Sequence, residues 1–328
     1  MKAVVVTALG GPEVLAVQDQ SKPQPGAGQV LIRVFAASVN FADVKARQGR
    51  YHGAGEPPFV PGLDVAGVVE STGPGVFRVS PGMRVAAFPH GGSYAEYVVA
   101  SEALVFPIPE NLSWAEAASL PIVAFTAYAL LTEVGQMDQG ESVLVHAAAG
   151  GVGTTVVQMA KSLGAGVVIG VVGRSEKIGL VRELGADEVI DSSRESFPER
   201  VAEITEGRGV DVVLDSIGGH VSEDSLTCLA RFGRLVHFGS ASGEIGRIAV
   251  ADLHASCRSV RGFSLGTVRR ERPEAIAPIA DAVLKMALAG DFRMLIGRRF
   301  PLHEAEKAHR WIESRESVGK IVLDVAAE

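Results

Sequence analysis

Two cysteines among 328 residues, Cys228 and Cys257, exclude both a disulfide framework and a four-cysteine zinc site. That count fits a reducing compartment. Each thiol reads as a small packing residue, because no activating base stands beside it in the chain. Positive charge is also in short supply. A formal net charge of −7 opposes adventitious nucleic-acid binding. The densest basic cluster, Arg269-Arg270-Glu271-Arg272, precedes Pro273 and a helical run, and it reads as a solvated helix start. Long hydrophobic runs are missing too. The longest apolar segment, 117–131, is interrupted by Pro121 and falls short of the about 20 residues that a bilayer demands. The apolar run 3–6 is closed at once by Gly10-Gly11-Pro12, which is not a secretory pattern. A cytoplasmic protein is expected, with no membrane partner. No internal repeat is visible.

What the chain does have is a glycine turn. Val143, Leu144 and Val145 form a short apolar run, and Gly150-Gly151-Val152-Gly153 breaks it. Val156, Val157, Met159, Ala160 and Leu163 then follow at helical spacing. The order is strand, turn, helix. A helix N-terminus offers unpaired N–H groups and the positive end of its dipole, so a pyrophosphate can sit there if no side chain intervenes. Gly150 and Gly153 fill the last two positions of the dinucleotide fingerprint G-x-G-x-x-G, while Ala148 stands at the first. Tight strand-to-helix turns use glycine as well, so the downstream pattern carries the argument. Residues 167–172 read as a second buried strand, Ser175 as the cap of the next helix, and Gly185 as its end. Apolar runs at 210–214 and 235–238, separated by helical patterns, continue the alternation of an α/β domain whose parallel sheet is covered on both faces.

The N-terminal half is built otherwise. Residues 1–7, 14–19, 30–38, 64–70, 84–88 and 94–99 have strand character, punctuated by glycine and proline, as in a compact, partly barrel-like β domain. Ser113 and Glu116 spell a capping box. Residues 276–288 read as an amphipathic helix, and 320–323 as a strand returning to the first domain.

Several stretches together resemble one family. They are Ser38-Val39-Asn40-Phe41-Ala42-Asp43, Pro61-Gly62-Leu63-Asp64-Val65-Ala66-Gly67, Gly92-Ser93-Tyr94-Ala95-Glu96-Tyr97, the turn from Ala148 to Gly153, and Gly319-Lys320-Ile321. The chain is similar over almost its whole length to zinc-independent medium-chain dehydrogenases/reductases of the quinone oxidoreductase branch, which includes zeta-crystallin. The resemblance implies a GroES-like, partly open barrel as catalytic domain (1–123 and 264–328). It also implies an inserted Rossmann domain with a doubly wound parallel sheet (124–263), and an active site in the cleft between them. Zinc-dependent relatives carry a cysteine and a histidine where this chain has Asn40 and Leu63. Leucine cannot ligate a metal, so no metal is expected. His90, His146 and His237 read as hydrogen-bonded structural residues.

The cofactor implied is NADPH. The end of the second Rossmann strand reads Gly173-Arg174-Ser175, then Glu176 and Lys177; it lacks the carboxylate that would accept from a ribose 2′-hydroxyl. Arg174, Ser175 and Lys177 suit a 2′-phosphate, although the same cations could be plain first-turn residues. The tyrosine that some relatives supply near the third strand is Ser192 here. The glycine turn (Ala148, Gly150, Gly151, Val152, Gly153), Thr126, Phe238-Gly239-Ser240, Phe263-Ser264-Leu265 and Lys320 complete the implied cofactor contacts. Phe238 and Phe263 read equally well as core aromatics.

For hydride transfer without a metal, Asn40 can donate through its amide and Tyr51 through its phenol to an acceptor oxygen. Asp43, three residues on, shares that face and is expected to position its neighbours; a helix cap with a surface acid is the alternative. The implied reaction is NADPH-dependent reduction of quinones. Reduction of activated C=C bonds in enals, enones or enoyl thioesters is the alternative. A nucleotide-retaining RNA-binding or crystallin-like structural protein is the non-enzyme reading, against which the acidic charge argues. Loop 49–58, with Tyr51 and His52, is expected to shape the pocket mouth. A homodimer through the edge strand 259–262 is expected.

Overall fold

The computed structural model describes residues 1–51 and 55–326. It divides the chain into two units, Met1–Phe125 with Val268–Leu284 and Met294–Glu328, and Thr126–Thr267 with Lys285–Arg293. In the first unit, β1 (Lys2–Val6) and β2 (Leu15–Asp19) pair as an antiparallel hairpin. Strand β3 (Gln29–Val39) is the spine of the larger sheet and leads directly into α1 (Phe41–Arg47). Strands β4 (Val65–Thr72), β5 (Arg84–Ala87), β6 (Tyr97–Ser101) and β7 (Val105–Pro107) follow. All pair antiparallel, β3 with β4 and β6, and β5 with β4 and β7. Period-2 alternation sends Val30, Ile32 and Val34 to one core with Val69, Val85 and Val98.

The other face is cut back to alanine. Ala36, Ala66 and Ala86 are paired in register across β3, β4 and β5, and the room they leave is filled by Trp114, Ala115 and Ala118 of α2 (Trp114–Val134). Ser113 and Glu116 form the expected capping box at its start. Pro121 does not break this helix. The turn widens to a π-helix over Leu120–Ala124, which accommodates the missing N–H, and the Ile122 amide donates instead to Asp64 Oδ2 at 3.1 Å. Helix α2 therefore reaches 21 residues, long and apolar enough by composition to cross a membrane, yet most of it is buried inside the protein. It is a core helix that the proline had made look shorter.

The second unit is a parallel sheet. Its elements are β8 (Ser142–Val145), α3 (Gly151–Ser162), β9 (Val167–Val172), α4 (Ile178–Glu183), β10 (Glu188–Asp191), α5 (Phe197–Ile204), β11 (Val210–Asp215), α6 (His220–Thr227), β12 (Leu229–His237) and β13 (Ser259–Gly262). The spatial order is β10-β9-β8-β11-β12-β13, every neighbour parallel. Chain order thus reverses direction between β8 and β11, and the carboxyl ends of those strands bound the crevice where such sheets take ligands. The central strands are mostly buried Val, Leu and Ile, as expected where helices cover both faces. Strand β12 is longer than its apolar end suggests, and β10 is short and bounded by acids, which hid it from periodicity.

The chain then forms the helix Ile276–Ala289, β14 (Ile296–Pro301), α7 (Ala305–Glu313) and β15 (Lys320–Asp324). Strand β15 pairs parallel with β14 and antiparallel with β3, with Ile321 opposite Val39. That register brings Lys320 to the end of β3, beside Asn40.

Candidate active site

Asn40 is the last extended residue before α1. Its side chain is gripped at both ends: Nδ2 donates to Asp64 Oδ1 at 2.9 Å, and Oδ1 accepts from Lys320 Nζ at 2.7 Å. The amide orientation follows from charge alone, since only nitrogen can face the carboxylate and only oxygen the ammonium. Asp64 also accepts from Ser38 Oγ at 2.6 Å and from the Ile122 amide, and Lys320 donates a second bond to the Val39 carbonyl at 2.9 Å. Asp43 accepts from the Asn40 N–H at 2.9 Å through Oδ2, while its Oδ1 has no hydrogen-bond partner among the described residues.

Asp43, Asp64 and Lys320 are 1%, 0% and 3% exposed, so one ammonium faces two carboxyls with almost no water to help. A second buried negative charge is costly. Burial pushes the Asp43 carboxyl up to about 7 and raises Asp64 as well. Burial also lowers the Lys320 ammonium, against the pull of Asp64 and Asp43. Asp43 is therefore no surface acid.

A second polar line runs from Asp43 toward the surface. Tyr94 Oη lies 3.0 Å from Asp43 Oδ2 and 3.1 Å from His309 Nε2, and Arg47 Nη1 lies 3.1 Å from His309 Nδ1. Guanidinium only donates, so Nδ1 accepts and the ring proton is on Nε2, which donates to Tyr94; the phenol then donates to Asp43. Burial and Arg47 push His309 down to about 3, keeping it neutral. Arg47 is itself fully buried and pairs with Glu313 at 2.7 Å. Arg47 and His309 stand 262 residues apart in the chain, and no local pattern announced them. Asp64 and Tyr94, by contrast, lie inside stretches that carry the family resemblance.

Tyr51 is half-buried, and burial raises its phenol, opposed by the nearby Arg269. Arg269 corrects the reading of its cluster as a solvated helix start. It donates to the Leu63 carbonyl at 3.3 Å and lies over the Phe88 ring at 5.2 Å, because a flat, weakly hydrated guanidinium packs readily on an aromatic face. His52, in the loop expected to shape the pocket mouth, lies outside the described residues.

In the second unit the remaining candidates gather at one edge. Ala148 to Gly153 follow β8, Gly173 to Lys177 follow β9, Phe238 to Ser240 follow β12, and Phe263 to Leu265 follow β13, all at the carboxyl ends of parallel strands. Thr126 is buried on α2. Gly150 is the N-cap of α3 and puts no side chain over the first-turn amides. A Cβ on Gly153 would stand 2.4 Å from the Ala147 carbonyl and 2.6 Å from Ala148 Cα, so this glycine lets α3 press against the turn. A Cβ on Gly173 would meet nothing within 4 Å, leaving the end of β9 open. The residues present thus fit a dinucleotide phosphate. Ser175 does not cap the following helix as expected; its hydroxyl donates to Asp191 Oδ2, a stronger acceptor than solvent. Lys320, an expected cofactor contact, bonds to Asn40 and Val39 in the other unit.

Comparison with known proteins agrees with this architecture. Residues 26–110 match the alcohol dehydrogenase GroES-like domain and residues 151–281 the zinc-binding dehydrogenase family. A quinone oxidoreductase of Pseudomonas aeruginosa is 38% identical over 98% of this chain and 99% of its own length. A 2-haloacrylate reductase of a Burkholderia species is 38% identical over 98% of each. The structure of Escherichia coli quinone oxidoreductase complexed with NADPH superposes with a TM-score of 0.92 at 30% identity, covering 99% of this chain and 100% of that one. Fold and matches define an oxidoreductase of the medium-chain dehydrogenase/reductase class. Within it, the chain belongs to the zinc-independent, quinone oxidoreductase-like family. The lysine ammonium on Asn40 accords with that branch: a cation already stands against the residue that replaces a zinc-binding cysteine.

The Asp43 carboxyl sets a pH dependence. Its pKa is about 7 when folded against an ordinary 3.8, so its contribution to stability is complete below about pH 4 and lost as pH rises through about 7. Asp43→Asn, neutral throughout, lacks that slope. The Tm of the variant should gain about 3 °C or more on wild type between pH 5 and pH 8, read by thermal melts. Parallel curves would show that Asp43 does not titrate there.

Proposed function

We propose that this chain binds NADPH and reduces quinones by metal-free hydride transfer. The observation that carries the reading is the clamped Asn40, an amide fixed between a carboxylate and an ammonium in the unit that has no metal ligands at Asn40 and Leu63. NADPH, when bound, supplies the hydride. The chain's own residues do the rest. The uncapped amides of Gly151, Val152 and Gly153 take the pyrophosphate, and Arg174 and Lys177 take the 2′-phosphate. Phe238, Gly239, Ser240, Phe263, Ser264 and Leu265 line the cofactor's path at the ends of β12 and β13. Tyr51 and the second N–H of Asn40, held only by long 3.4 Å contacts to Ser38, offer hydrogen-bond donors to the acceptor oxygen, Asp43 holds the Asn40 backbone, and Lys320 keeps its amide turned the right way.

Reduction of an activated C=C bond is the second reading, favoured by the similarity to the 2-haloacrylate reductase over 98% of both chains. Quinones and haloacrylates are both conjugated acceptors, and one donor set can serve either. Chelator-treated protein should oxidise NADPH in the presence of a quinone, with NADH consumed more slowly; a faster rate on 2-haloacrylate or an enone would select the second reading. Nucleotide binding without reduction of any acceptor would leave a binding or structural role.

The two cysteines are unpaired, one buried and one exposed, as the cytoplasm permits. We further propose a homodimer through β13, which is the outermost strand of the parallel sheet and carries Val260, 38% exposed. Val260→Asp should shift the species measured by light scattering from dimer to monomer. A monomeric wild-type protein would refute the assembly.

A further inference from the structure

The end of β9 offers no carboxylate, but its neighbour does. Asp191 ends β10 and pairs in register with Val172, the last residue of β9. Its Oδ1 accepts from the Ser193 N–H at 2.9 Å and the Ser193 hydroxyl at 2.6 Å, and its Oδ2 accepts from the Ser175 hydroxyl. We infer that Asp191 limits the preference of the nucleotide site for NADPH over NADH, by claiming the one proton of Ser175 and by setting a carboxylate beside the basic end of β9.

The inference rests on the NADPH reading above and concerns which part of the site makes the selection. A hydroxyl has a single hydrogen and two lone pairs. Once Ser175 donates to Asp191, it can only accept from anything else. An acceptor suits a ribose 2′-hydroxyl, which donates, and opposes a phosphate oxygen, which does not. The acid usually found at the end of the second strand is thus supplied here from the third strand, through one hydroxyl. The Ser175 bond, and after it the Ser193 bond, hold the Asp191 carboxyl below its ordinary range, so it is ionised at neutral pH. Selection for the 2′-phosphate falls to the charge of Arg174 and Lys177, against the opposing charge of Asp191.

Asp191→Asn isolates the effect. The asparagine Oδ1 can still accept from Ser193, while its amide nitrogen donates to Ser175 and frees the serine proton for a phosphate. Binding is read from nicotinamide fluorescence on titration with NADPH or NADH, with no acceptor present. D191N should tighten NADPH about tenfold and move NADH less than about threefold, with the NADPH gain reduced at high salt. Ser175→Ala in the wild-type background should leave NADPH affinity within about twofold, and in the D191N background should remove part of the gain. An unchanged NADPH/NADH ratio in D191N overturns the inference. So does an about tenfold NADPH loss in S175A alone, because that hydroxyl would then be donating to the phosphate; this arm decides if thermal melts show D191N unfolded. Failure of wild type to bind either nucleotide would instead overturn the NADPH reading on which the inference stands.

Discussion

One buried ammonium set against two buried carboxyls governs the first unit. Lys320 cannot be left alone in so dry a place, and neither can Asp64; each is stabilised by the other's field and by the amide of Asn40 between them. Three distant pieces of chain must meet for this to happen. The end of β3 supplies Ser38 and Asn40, the residue before β4 supplies Asp64, and β15 arrives antiparallel to β3 to deliver Lys320. Even the widened turn of α2 at Pro121 is joined to the cluster, since the Ile122 amide is bound by Asp64. The remaining acid, Asp43, is pushed up to about 7 by its burial, and the neighbouring Asp64 adds to the shift.

The second unit works on a different principle. Its strands are mainly Val, Leu and Ile in their middles, and polar groups such as Asp191, Asp215 and His237 collect at their carboxyl ends. Asp215 shows how tightly such ends are organised, accepting from the Ile217 and Gly218 amides, from Ser222 and from His237 as β11 gives way to its loop. Burial raises its carboxyl, but those bonds together outweigh it and hold the group down to about 2. The polar groups at this edge fix loops that present backbone and aromatic surface, while the first unit holds buried charge. A nucleotide reductase needs both, one to seat a phosphate-rich cofactor and one to polarise an acceptor.

Much of this was legible in the chain because it rests on short-range pattern. The run Val143 to Val145, the glycines after it and the spaced apolar residues of α3 announce themselves without help from elsewhere. So do the capping box at Ser113 and the second strand at 167–172. Elements whose logic is not periodic were missed: β10, bracketed by Glu188 and Asp191, and β14, with Arg298 and Arg299 exposed in its middle. Pro121 misled because a proline normally ends a helix, and only the tertiary partner Asp64 makes the wide turn worthwhile. The Arg47–His309–Tyr94 line was unreadable in principle, since its members share no local spacing and meet only once α7 and α1 have packed.

The central claim is that Asn40, held between Asp64 and Lys320, belongs to the machinery that reduces the acceptor and not to the grip on the nucleotide. The measurement that bears on it most directly is Asn40→Ala, comparing single-turnover hydride transfer with NADPH affinity in one preparation. The account predicts a fall in the transfer rate of about 100-fold, the scale of losing one preorganised donor, with NADPH affinity within about twofold of wild type. An unchanged transfer rate, or a loss confined to NADPH binding, would contradict it.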